Sequence, residues 1–160
     1  MADLTMNSDR EYRGETTKGR ASVGANVRVF VGQAMMAGSG GIVNVTTGSG
    51  NDFVGFAAES VDNRTNAVPH GGAAGATSAN LHVEGTVKLM VNHASGWGHD
   101  DVGLTVHATD GNTFTTTVST HVKVGKVINV LTNLGGEDDP VTDAEVLVYF
   151  NTALTALLIV

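Results

Sequence analysis

Apolar and polar residues alternate with a period of two along much of this chain. The longest such run is residues 81–91. Leu81, Val83, Gly85, Val87, Leu89 and Val91 share one side, and His82, Glu84, Thr86, Lys88 and Met90 share the other. Alternation of this length predicts a strand with one face in a core. Gly85 falls on the inner side, which predicts a bulge or a place where another backbone comes close. Shorter β-rich runs occupy residues 26–31, 41–47, 53–61, 102–107, 113–118, 122–131 and 144–150, with Gly125 a predicted kink. Turn signals separate them. Gly48-Ser49-Gly50-Asn51 is one, residues 92–101 form another, and Asp110-Gly111 is a strong hairpin signal. No segment before residue 152 has a helical period, and residues 152–160 are compatible with a short helix or a last strand. The pattern predicts an all-β domain of about eight strands, a small barrel or sandwich.

Length and composition refine this picture. A chain of 160 residues fits one domain and can bury a core without staples. Glycine is abundant at 21 and proline scarce at 2, as short strands joined by tight turns require. Residues 1–20 are polar and charged with no clean period, and read as an extended arm outside the core. Residues 21–151 form the body, and residues 152–160 an apolar C-terminal segment. Residues 62–79 read as a surface loop. Met35 and Met36 read as core. Trp97, the sole tryptophan, lies between Gly96 and Gly98 and reads as a plug over one end of a barrel or, as the alternative, an interface anchor.

Charge excludes some partners. The net charge is -7, from 16 acidic and 9 basic residues. Four of the basic residues, Arg10, Arg13, Lys18 and Arg20, lie in the arm. An acidic body without a basic face is not expected to bind nucleic acid. The opening residues lack a basic stretch followed by an apolar one, so no secretory signal is expected. The apolar run 153–160 is too short to span a bilayer, so no membrane role is expected. There is no cysteine, hence no disulfide and no thiolate metal site.

Catalytic chemistry is not legible either. His82 and Glu84 share one side of a strand, and His93, His99, Asp100 and Asp101 share a loop, without a recognisable zinc spacing. Asp100, Asp101 and the acidic loop Glu137-Asp138-Asp139 lack the spacing of a calcium hand. Gly38-Ser39-Gly40-Gly41 precedes a strand and lacks the lysine of a phosphate loop. No Gly-x-Ser-x-Gly elbow is present. The chain is therefore expected not to be an enzyme and to carry no cofactor or metal.

Five short motifs point further. They are Phe53-Val54-Gly55-Phe56-Ala57, Val83-Glu84-Gly85-Thr86-Val87, the hairpin from Asp100-Asp101-Val102 through Asp110-Gly111 to the threonine-rich residues 113–117, Val124-Gly125-Lys126-Val127, and the closing strand 145–150. In order and spacing they resemble a family of cement (decoration) proteins of tailed-phage capsids, over residues 26–151. His99 stands where that family has glycine, although Gly98 is one position earlier. Gly103 replaces its tyrosine, and the loop 62–79 and C-terminal extension are longer.

The resemblance implies a β-barrel or β-tulip, often trimeric, on the outer surface of a phage head. It would clamp neighbouring subunits of the major capsid protein, with an N-terminal arm along the lattice. The expectations are then a structural virion protein, made in the bacterial host cytoplasm and carried on the capsid exterior as a homotrimer. In the arm, Leu4, Met6 and Tyr12 would be anchors, and Arg10, Arg13, Lys18 and Arg20 partners for capsid carboxylates. Leu154, Leu157, Leu158, Ile159 and Val160 would form the oligomer interface, since a free apolar run is avoided in soluble monomers. The alternative is a β-rich adhesion or carbohydrate-binding module of a phage fibre or tail. Such a module would display several aromatics, and only 5% of this chain is aromatic.

Overall fold

A computed structural model describes residues 9–46, 52–66, 72–118, 122–132 and 141–152. Eleven strands are present among them: β1 (Thr17–Ser22), β2 (Arg28–Val29), β3 (Ala34–Gly38), β4 (Gly41–Asn44), β5 (Phe53–Ala57), β6 (Val61–Asp62), β7 (Ser78–Asn92), β8 (Thr105–Ala108), β9 (Phe114–Thr115), β10 (Val122–Val130) and β11 (Asp143–Asn151). The protein is all-β, and five strands close into a barrel with further strands bonded outside it. The ring runs β7–β11–β10–β8–β9 and returns to β7. Closure leaves no exposed edges within the ring. All its pairings are antiparallel except the last, where Val91 and Asn92 meet Phe114 and Thr115 in parallel.

The 81–91 run lies within β7, the longest strand. Its C-terminal half pairs with β11 from Asn92↔Asp143 to Glu84↔Asn151. Val87, Leu89 and Val91 point into the barrel, where Val106, Val124, Val127, Val146, Val148 and Phe150 are also buried. Phe53 and Phe56 from β5 join them. Phe150 meets the Phe56 ring nearly edge-on with centroids 5.1 Å apart, and Phe53 at 6.2 Å. Perpendicular rings at these distances put positive edges against negative faces. The N-terminal half of β7 serves a second core, with Ala79 and Leu81 packed with Val23, Val29, Met35, Ile42 and Ala57.

Gly85 marks the handover between the two cores. Its φ is +154°, and a Cβ there would lie 2.7 Å from Thr16 Cγ2. The close approach predicted for this residue is therefore made by the N-terminal segment. Gly125 has a similar reason: a Cβ would sit 2.2 Å from the Tyr149 carbonyl oxygen, beside a register shift between β10 and β8. The Asp110-Gly111 turn joins β8 to β9 as expected. Asp110 is buried, and its carboxylate accepts the backbone N–H groups of Asn112 and Thr113, both at 2.8 Å. Trp97 is 6% exposed within the barrel cluster, and its Nε1–H donates to the Val91 carbonyl at 2.9 Å.

Three expectations are refined. Among the described residues there are eleven strands, the eight predicted runs together with β1, β3 and the short β6, which were not separately legible. The stretch 62–79 is not wholly a surface loop. Asn63 is buried with its amide donating to the Gly24 and Ala73 carbonyls, and Ser78 and Ala79 already belong to β7. The third concerns the arm.

Candidate functional site

Residues 10–22 lie outside the barrel core, none of them fully buried, but they are bonded to its wall. They run antiparallel to β7, so the arm is, for these residues, a strap on the barrel. β1 pairs with β7 from Ser22↔Ser78 to Thr17↔Glu84. Beyond a break the pairing resumes at Tyr12↔Val87. There the Arg13 N–H donates to the Thr86 carbonyl and the Lys88 N–H to the Glu11 carbonyl, both at 2.9 Å. Val87 also pairs with Val148 of β11, so the strap lies on the opposite edge of β7 from β11. Backbone groups left unpaired along a buried strand are costly, and the strap satisfies them.

Side chains fasten this strap at two places. Arg10 lies across the rings of Phe114 and Phe56, with its guanidinium carbon 5.2 and 5.7 Å from their centroids. Its Nε–H donates to the Gly32 carbonyl at 2.7 Å, and a terminal N–H donates to Asn112 Oδ1 at 2.7 Å. Burial pulls the guanidinium below its ordinary value, and the nearby Tyr12 opposes this. Tyr12 packs against the barrel cluster and stacks on His82, with centroids 4.2 Å apart. The Tyr12 hydroxyl is buried without a hydrogen-bond partner among the described residues, and burial pushes its ionisation upward. Thr16 Oγ1 is hydrogen-bonded to His82 Nδ1 at 2.5 Å. Burial and then the charge of Lys18 hold the His82 imidazole below its usual value.

Outside these anchors the strap is polar. Glu11 binds Lys88 Nζ at 2.6 Å and Arg13 at 2.9 Å, and Lys88 also approaches Glu145 at 3.9 Å. Arg20 donates to Ser78 Oγ and lies 3.7 Å from Glu59. In β1 itself Thr17, Lys18, Arg20 and Ser22 are exposed. β1 pairs with β7 and with no other strand among the described residues.

The seven proposed arm residues thus divide. Arg10 and Tyr12 are committed to the barrel and are not presented to a partner, because a long cation and a phenol ring find aromatic surface on the body itself. Arg13, Lys18 and Arg20 remain at the surface. Leu4 and Met6, like Leu154, Leu157, Leu158, Ile159 and Val160 of the proposed oligomer interface, lie outside the described residues.

No protein-family model, curated protein or solved structure matches this chain.

The other candidate groups of the sequence stand apart. His93 Nδ1 is hydrogen-bonded to Thr116 Oγ1 at 2.5 Å and its Nε2 is 3.9 Å from Asp101. Asp101 is turned inward to accept the Gly98 N–H at 2.6 Å, which makes it part of a turn. Among the described residues no three His, Cys, Asp or Glu side chains gather as metal ligands. No helix among them is long and apolar enough to cross a membrane. Glu11, His82 and Lys88 were missed as partners of the strap. The signal available was a run of polar residues facing the alternate polar side of β7, which has no reading until the two strands are paired.

Proposed function

We propose that this protein is a structural virion protein that binds the outer surface of a tailed-phage capsid and stabilises the lattice of its major capsid protein. Support comes from the resemblance of five ordered motifs to capsid cement proteins. Each of the five motifs includes residues of β5, β7, β8–β9, β10 or β11, the closed ring together with the strand that feeds aromatic side chains into it.

One observation carries the proposed mode of attachment. β1 is an exposed, basic strand whose second side is unpaired along Thr17–Ser22 among the described residues and meets β4 only just beyond, where Val23 bridges Ile42; the net charge of the chain is -7. An edge of this kind can extend a strand of another protein, with backbone hydrogen bonds giving affinity and alternate side chains giving register. Lys18 and Arg20 would face carboxylates of the capsid protein, and Arg13 would continue the basic row. A trimeric clip would gain avidity, since its second and third contacts become intramolecular. It would stabilise the lattice by mass action, because it binds the assembled array.

The test is cosedimentation of the purified protein with expanded phage heads lacking decoration, set beside a glycan array. Saturable binding to heads that weakens with salt and is lost in the Lys18→Glu, Arg20→Glu double variant is expected. No binding to heads together with specific glycan binding would replace this reading with the adhesion-module one.

A further inference from the structure

The free edge of β1 offers a fixed set of backbone groups. In an antiparallel pair, residues directly opposite alternate between exchanging both backbone bonds and exchanging none. Leu81 and His82 pair with β1 and with β5, so those two strands lie on opposite edges of β7. Arg20 is opposite Asn80, and the Asn80 carbonyl accepts the Ala58 N–H on the β5 side. Arg20 therefore exchanges no bond with Asn80 and turns its own N–H and C=O away from β7. Lys18 and Ser22 share this phase, since the register is unbroken from Lys18 to Ser22. The next residues agree with it: the Val23 N–H donates back to the Thr77 carbonyl, and the Gly24 N–H donates outward to the Ile42 carbonyl of β4. Gly41 closes off the Ser22 carbonyl, for a Cβ there would lie 2.4 Å from that oxygen. The N–H groups of Lys18, Arg20 and Ser22 and the carbonyls of Lys18 and Arg20 thus point outward, and no strand among the described residues takes them.

The side chains along this edge select what can pair with it. Lys18 and Arg20 are exposed on one face. Lys18 enters no ion pair among the described residues, and Arg20 is steadied by Ser78 Oγ and Asn80 Oδ1 with Glu59 at 3.7 Å. Gly19 and Ala21 occupy the other face, both half-buried. Ala21 and Val83 pack on the second core, and a Cβ at Gly19 would lie 3.1 Å from Val83 Cγ1. One face of the edge is cationic, and the other is small and apolar. A second β1 laid along it would set Lys18 and Arg20 against like charges, which is unfavourable for residues directly opposite. The edge thus rejects a copy of itself and favours a strand of the opposite sign.

We infer that residues 18–22 take as partner an extended protein segment in which acidic and apolar side chains alternate. Paired one residue to one, such a segment is about five residues long. Two carboxylates two positions apart lie across from Lys18 and Arg20. The apolar side chains between them lie beside Gly19 and Ala21 and cover Val83. The segment accepts from the three outward N–H groups and donates to the two open carbonyls. It ends at Ser22, where Gly41 intervenes, and at Thr17, where the register of β1 shifts. This rests on the reading of β1 as the docking edge and adds the kind of strand that the edge takes.

Amide hydrogen exchange of the full chain, read by NMR, tests this without heads. The probe is a short peptide of alternating glutamate and valine, blocked at both ends, and the control carries lysine in place of glutamate. In the free protein the Gly19 and Ala21 amides, which face β7, exchange slowly, and those of Lys18, Arg20 and Ser22 exchange fast. The glutamate peptide at saturation should slow the last three by about tenfold or more, since a backbone hydrogen bond protects its amide. The lysine peptide should leave them unchanged. Lys18→Gln should weaken the glutamate peptide's effect. Ser22→Pro should weaken it too with both charges kept, because proline is tolerated where an edge N–H faces outward. Peptide binding that leaves the three amides fast would overturn strand addition in favour of a contact through charge alone. Equal protection by the lysine peptide would overturn the acidic partner. Protection by neither would overturn the inference, and heads that still bind the protein would then leave the capsid reading standing. Protection by the glutamate peptide without binding to heads would uphold the edge and remove the capsid reading.

Discussion

Replacing Arg10 by Met tests whether the strap is held by its side-chain anchor. Methionine keeps most of the apolar stem over Phe56 and Phe114 and removes the charge with its donors. Lost are the bonds to the Gly32 carbonyl and Asn112 Oδ1, both 2.7 Å, and the placement of the cation 5.2 and 5.7 Å from two ring centroids. A hydrogen bond from a charged donor is worth about 1.5–3 kcal/mol and a cation–π contact about 0.5–2 kcal/mol. Burial of the guanidinium works against both, as its lowered ionisation shows. A net loss of about 2 kcal/mol is reasonable, which corresponds to roughly thirtyfold in the opening equilibrium of the strap. Hydrogen exchange reads this at two amides that are bonded only while the strap is docked, Arg13 to Thr86 and Lys88 to Glu11. Both should exchange about thirtyfold faster in Arg10→Met, while amides between β10 and β11 keep their protection. Unchanged exchange at Arg13 and Lys88 would show that backbone pairing alone holds the strap. A uniform rise across the barrel would show that strap and barrel open as one unit.

Other outcomes follow from single distances and directions. Gly125→Ala forces a methyl to 2.2 Å from the Tyr149 carbonyl oxygen and should destabilise the protein by about 1–3 kcal/mol or more, read by urea unfolding. Because the His82 imidazole ionises below its ordinary 6.5, the unfolded or undocked chain takes up its proton first. Strap protection should therefore be full above about pH 6.5 and fall as pH drops below it, and His82→Phe should remove that dependence. Trp97 as the sole, buried tryptophan should emit in the blue-shifted range with weak acrylamide quenching, and Trp97→Phe should lose about 1 kcal/mol with the bond to Val91.

What could be read from the sequence follows the physical origin of each signal. β7, β10 and β11 alternate because one face meets a core and the other meets water, so their positions were legible. β3 was not, because Met35 belongs to one core and Met36 to the other, and a strand buried on both faces shows no alternation. β1 escaped for the opposite reason. It is a polar strand lying on an exposed edge, and nothing in Thr17–Ser22 demands burial. Gly85 was legible as a bulge or close approach, since an inner-face position without a Cβ leaves room for a neighbouring segment of chain, and Gly125 only as a kink. Tyr12 was legible as an anchor and Arg10 as a partner for carboxylates, but the target of both was not, because the aromatic surface they meet is assembled from β5, β9 and β11 only once the chain has folded.

The central claim is that this barrel strengthens a phage head from outside, and the temperature at which packaged DNA escapes tests it most directly. Heads lacking decoration are heated with and without saturating protein, and DNA release is followed with an intercalating dye. A release temperature raised by several degrees, with the rise abolished in the Lys18→Glu, Arg20→Glu variant, is the predicted result. Protein that saturates the heads and leaves the release temperature unchanged would contradict it.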